Sequence, residues 1–114
     1  MQLEQAQSMS AVYNLGLATR VPPGEGRTFI VEGRTVAVFR TRTGALLATQ
    51  AECPHQRGPL ADGLLGDNVL VCPLHGYKFD VKTGLAVGHS CGSLKTYPVE
   101  LSDRGEILLR VEDS

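Results

Sequence analysis

The sequence predicts an all-β domain, a small sandwich or barrel, on three observations. No segment sustains an apolar period of 3.6 through three turns. Gly and Pro make up 19 of the 114 residues (13 and 6) and fall as punctuation between short apolar runs. Those turn signals recur at roughly 8–12-residue intervals, the spacing of sandwiches and small barrels.

The runs are taken in chain order. Pro22-Pro23-Gly24 precedes the first. Residues Arg27 to Val31 and Arg34 to Arg40 flank Glu32-Gly33 as a hairpin does. In the second of these, Val36, Val38 and Arg40 alternate with Ala37 and Phe39. Both faces are largely apolar, the pattern of a strand buried on two sides. After Thr43-Gly44 comes a strand over Ala45 to Ala51. Later strands are read at Asn68 to Cys72, Tyr77 to Val81, Leu94 to Leu101 and Glu106 to Val111, with Thr83-Gly84 and Arg104-Gly105 as turns. Two segments interrupt this pattern, Glu52 to Leu65 and Pro73 to Gly76.

The length allows one domain with one modest core. Residues 1–10 read as a flexible polar tail and residues 11–114 as the domain. Eleven basic residues nearly balance twelve acidic ones, for a formal charge of −1. That excludes the basic footprint of a nucleic-acid binder. No apolar run has the length of a membrane span. The N-terminal residues lack the basic start and apolar centre of a leader, so a cytoplasmic location is expected. No G-x-G-x-x-G occurs, so no dinucleotide site is expected, and no catalytic residue stands out.

Three cysteines are too few for a disulfide scaffold. The chemistry instead gathers in the two interrupting segments. Cys53-Pro54-His55 and Cys72-Pro73-Leu74-His75 each supply one thiol and one imidazole, with sixteen residues between His55 and Cys72. A Pro after each Cys stiffens the backbone and cannot continue a ladder, which puts both half-sites on loops. Two centres suit this donor set. One is tetrahedral zinc, making the chain a zinc-stapled binding module. The other is a 2Fe–2S cluster in which two His replace two Cys on one iron. Zinc fingers usually pair Cys with Cys and His with His. The mixed pairing here favours the cluster, because each iron would draw one like ligand from each loop.

From about Tyr13 to Val111 the chain resembles a Rieske-type [2Fe-2S] domain. The resemblance rests on CPHQRGPLADG and CPLHGYKFDVKTG, which look like the two cluster-binding loops and the hairpin after them. It implies a β fold with a cluster-binding subdomain of two ligand loops. It also implies that Cys53 and Cys72 hold one iron while His55 and His75 hold the other. High-potential relatives carry a further Cys in each loop, joined as a disulfide. Gly58 and Leu74 stand there, so that bond cannot form. They also place Ser and Tyr where this chain has Tyr77 and Phe79. Losing hydroxyl donors to sulfur disfavours the reduced state, so a potential of roughly −150 to 0 mV is expected.

Among low-potential forms, TFIVEGRTVAVFR and CGSLKTYPVEL resemble the small subunit of NAD(P)H-dependent assimilatory nitrite reductase. That resemblance implies a one-electron carrier whose partner is a large sirohaem and flavin subunit. The alternative is a free Rieske ferredoxin serving an aromatic-ring-hydroxylating dioxygenase and its reductase. In either role the chain transfers electrons and offers no catalytic pocket of its own.

Other residues complete the expectation. Cys91 reads as a buried or half-buried thiol and His89 as a solvent-facing loop residue. Gly58, Gly63, Gly76 and Gly84 are expected to relieve backbone strain. Arg57 and Lys78 flank the site. Pro54, Leu60, Pro73 and Leu74 are expected to form an apolar rim for docking.

Overall fold

The computed structural model describes residues 10–53, 59–66, 69–73, 78–88 and 93–112. Among them every regular element is a strand or a single 3-10 turn, arranged in three antiparallel sheets. No helix of the described residues is long and apolar enough to cross a membrane.

The first sheet joins β1 (Ser10–Leu17), β10 (Val99–Leu101) and β11 (Glu106–Glu112), with β11 in the centre. The second runs in the order β2 (Gly26–Val31), β3 (Arg34–Arg40), β4 (Leu46–Gln50) and β9 (Thr96–Tyr97). The third is a meander of β5 (Leu64–Gly66), β6 (Val69–Val71), β7 (Lys78–Asp80) and β8 (Ala86–Val87). The all-β expectation holds.

The β2–β3 hairpin forms as its sequence predicts. Val31 pairs with Arg34, leaving the two-residue loop Glu32-Gly33. Both loop residues have positive φ, 51° and 81°. That is the type I′ geometry whose twist matches the flanking strands.

The apolar reading of β3 on both faces explains the interior. Val36 and Val38 face a base core with Val21, Val31, Ala48, Ile107, Leu109 and Val111. Ala37 and Phe39 face a second core with Cys53, Leu60, Leu70, Cys72, Phe79 and Leu94. One strand thus forms the wall between the two cores, and its alternation assigns each side chain to one of them.

Some elements depart from the sequence reading. The stretch from Leu94 to Leu101 is two strands, not one. β9 pairs with β4, β10 pairs with β11, and Pro98 lies between them. A proline has no N–H for a ladder, so the chain changes sheets there. The Pro98 carbonyl still accepts from the Arg110 N–H at 2.9 Å. β1, β5 and β8 were not anticipated. The β1 ladder shifts register between Asn14 and Leu17, around Gly16 at φ 97°. A bulge of that kind blurs the period-2 pattern.

Candidate metal centre

The first half-site leaves the second sheet at the end of β4. The Leu60 N–H donates to the Ala51 carbonyl at 2.9 Å, and Glu52 forms an isolated bridge with Pro59. These contacts close the loop that begins at Cys53. A 3-10 turn over Leu60–Asp62 follows. It is fastened by Asp62 N–H to Pro59 O at 3.0 Å and Gly63 N–H to Leu60 O at 2.9 Å.

The second half-site belongs to the hairpin between β6 and β7. Val71 pairs with Lys78, and Cys72 stands one residue past the end of that ladder. Cys53 and Cys72 therefore each stand just past the last pairing of a strand, where a following Pro is tolerated.

Cys53 and Cys72 are 1% and 3% exposed, and both carry thiols rather than a disulfide. They share one core. Thiols suit a soft metal centre as donors. The donor chemistry fits a thiolate-bound iron–sulfur centre, and the structure buries the two predicted cysteines in one core. His55 and His75 lie outside the described residues. So do Pro54, Arg57, Gly58, Leu74, Gly76, Tyr77, His89 and Cys91. Among the described residues no three His, Cys, Asp or Glu side chains gather as a metal site.

Two expectations about neighbouring residues are corrected. Leu60 is fully buried, not part of an exposed rim. The 3-10 turn carries its side chain inward, onto the core shared with the cysteines. Gly63 does not relieve a left-handed backbone, since its φ is −77°. Its role is close approach: a Cβ there would fall inside 3.0 Å of the Val71 carbonyl oxygen. Gly84, by contrast, has φ 82° and does need glycine. Pro73 and Lys78 are exposed, in line with a place beside the site.

Gln50 was not singled out by sequence reasoning, yet it fastens two loop roots. Its Nε2 donates to Glu52 O at 2.6 Å, and its Oε1 accepts from Lys95 N–H at 2.8 Å. A lone Gln at a strand end carries no signal for such a clamp. Leu94 N–H adds a bond to Gly84 O at 2.6 Å on the same side.

Comparison with known proteins follows from this geometry. The family model described as "Rieske [2Fe-2S] domain" matches residues 11–98. The ferredoxin component of a naphthalene 1,2-dioxygenase system from Pseudomonas aeruginosa is 35% identical over 82 residues, 71% of this chain and 78% of that one. The biphenyl dioxygenase ferredoxin subunit of Pseudomonas sp. (strain KKS102) is 37% identical over 86 residues, 74% of this chain and 78% of its own. A 4beta-methylsterol monooxygenase from Methylococcus capsulatus is 31% identical over 98 residues, 77% of this chain but 27% of that protein.

Among solved structures, an NADH-dependent nitrite reductase small subunit from Mycobacterium tuberculosis superposes with a TM-score of 0.85. It is 19% identical and covers 94% of this chain and 100% of its own, a likeness of fold. A ferredoxin from Sphingomonas yanoikuyae has a TM-score of 0.77 at 28% identity, covering 91% of this chain and 100% of that one.

Proposed function

This chain belongs to the Rieske [2Fe-2S] domain family, and from that membership we propose that it serves as the small electron-transfer subunit of an assimilatory nitrite reductase. The family brings with it a [2Fe-2S] cluster with Cys and His ligands and the role of an electron carrier. In this reading Cys53, His55, Cys72 and His75 are the four ligands.

The observation that carries the choice of partner is the likeness of TFIVEGRTVAVFR and CGSLKTYPVEL to nitrite reductase small subunits. The first segment covers most of the β2–β3 hairpin, and the second contains β9, in the same sheet, and β10, in the sheet of β11. Overall identity discriminates less. Ferredoxin components at 35% and 37% and a sterol monooxygenase at 31% match this chain about equally. Identity at that level follows the domain rather than the partner. The second reading, a free ferredoxin of a ring-hydroxylating dioxygenase, draws on the two ferredoxin relatives, which match most of both chains.

When bound, the cluster supplies one electron at a time at low potential. The residues of this chain do the rest. Cys53 and Cys72 offer thiolates from within a dry core, which excludes water from one side of the centre. The bridged root of the first loop and the β6–β7 hairpin hold those thiols at fixed height. The exposed Pro73 and Lys78 stand where a partner docks, and weak redox contacts of this kind are small. A reducing compartment such as the cytoplasm suits the two thiols.

The deciding experiment mixes the dithionite-reduced protein with a sirohaem nitrite reductase plus nitrite, and separately with a ring-hydroxylating oxygenase plus its substrate. Reoxidation driven by nitrite supports the first reading. Reoxidation by the oxygenase alone replaces it with the second. Electron paramagnetic resonance and iron content on the same sample test the centre. A rhombic signal of low average g with about two irons per chain fits the histidine-ligated cluster. A silent spectrum with zinc bound fits the stapled module. Cys53→Ser or Cys72→Ser is expected to abolish the signal; full iron retention in either would refute the ligand set.

A further inference from the structure

We propose that Gly63 is a positioning residue that sets the spacing between the two cysteine half-sites; the inference rests on Cys53 and Cys72 being cluster ligands. The β5–β6 ladder ends with Leu64 opposite Val71. One step further along that register, Gly63 faces Cys72. A Cβ at residue 63 would fall inside 3.0 Å of the Val71 carbonyl oxygen, on the peptide that leads into Cys72. It would also meet Leu60 O at 3.2 Å and Leu70 Cδ1 at 3.2 Å. The Val71–Cys72 peptide therefore lies directly on the Cα of Gly63.

Gly63 is tied to the other half-site through short bonds. Its N–H donates to Leu60 O at 2.9 Å, and the Leu60 N–H donates to Ala51 O at 2.9 Å, two residues before Cys53. Leu60 and Leu70 are fully buried in the core that also holds both cysteines, so neither wall of this path can yield cheaply. A side chain at 63 must push the peptide before Cys72 away from the turn that anchors Cys53. The sum of these contacts is a spacer: bare Cα at one point sets the distance between two thiols.

The neighbouring Gly66 is the internal control. It ends β5, the strand that Gly63 leads into, and a Cβ there meets nothing within 4 Å. Overpacking is expected at one glycine and not at the other.

The test compares Gly63→Ala, Gly66→Ala and Cys72→Ser with the parent chain. Each is read by thermal unfolding of the metal-free protein, by iron content, and by the g values and midpoint potential of the reconstituted protein. The spacer predicts a folded metal-free Gly63→Ala chain that either loses iron or shows shifted g values and a shifted potential. Gly66→Ala should match the parent in all four. Parental g values and potential in Gly63→Ala overturn the inference alone. So does a Gly63→Ala chain that fails to fold without metal, because the contact would then support the sheet and not the ligand spacing. Cys72→Ser with full iron and an intact signal removes the ligand reading, and the inference with it.

Discussion

Phe79 is fully buried in the core that holds Cys53 and Cys72. A phenyl ring there fills volume and gives sulfur no donor. Replacing it with Tyr would add one hydroxyl at nearly the same shape, within a dry region where a hydrogen bond counts for more than in water. Donors to sulfur favour the more negative, reduced state. If the new bond differs by about 1 kcal/mol between redox states, the potential rises by roughly 40 mV for one electron. Redox titration of Phe79→Tyr checks this, and an unchanged or lower potential would show that the hydroxyl does not reach sulfur. At this scale the shared burial of Cys53 and Cys72 agrees with the sequence reading, which singled them out because thiol and imidazole at short spacing have few other uses. Leu60, Gly63 and Gln50 were not legible in that way. Their roles depend on what lies across the loop root, which no local pattern reports.

The elements divide the molecule by the alternation of β3. Side chains at 36 and 38 serve the base core, and those at 37 and 39 serve the core of the cysteines. Perturbations of equal size should therefore have unequal consequences. Leu109 and Leu70 are both fully buried, one in each core. Truncating either to Ala costs about 2–5 kcal/mol in lost transfer energy and cavity. Leu109→Ala is expected to lower the unfolding midpoint while leaving the spectrum of the loaded protein unchanged. Leu70→Ala should lower the midpoint and also alter the spectrum, since it shares its core with the cysteines. Identical spectra in both variants would mean that the cores do not act separately. The hairpin of β2 and β3, the strand β4 and the strand β11 were legible from alternation and turn residues. The three-residue strands β5, β6 and β7 are too short to show a period. Of these, β6 and β7 were anticipated only as parts of longer apolar runs.

For the molecule as a whole, the two proposed thiolate ligands lie in one core, the long strand β11 serves the other, and β3 is the wall between them. β1 has eight residues, and β3 and β11 have seven each, whereas among the described residues no strand of the third sheet exceeds three. Short strands with one inward row, Leu65, Leu70, Phe79 and Ala86, bury little apolar surface of their own. Sheets that small are marginal without further support. A bound centre that crosslinks the first loop to the β6–β7 hairpin supplies it, because its binding free energy is also folding free energy for the segments it joins. Stability should then be graded across the molecule. Removing iron leaves two buried thiols, which pack acceptably as small apolar groups. It leaves the base core untouched. Hydrogen exchange of loaded and metal-free protein tests this gradient. Amides of β6 and β7 are expected to lose protection by about tenfold or more in the metal-free chain, while those of β3 and β11 keep theirs. An equal loss in all four strands would instead mean that the cluster and the base fold as one cooperative unit.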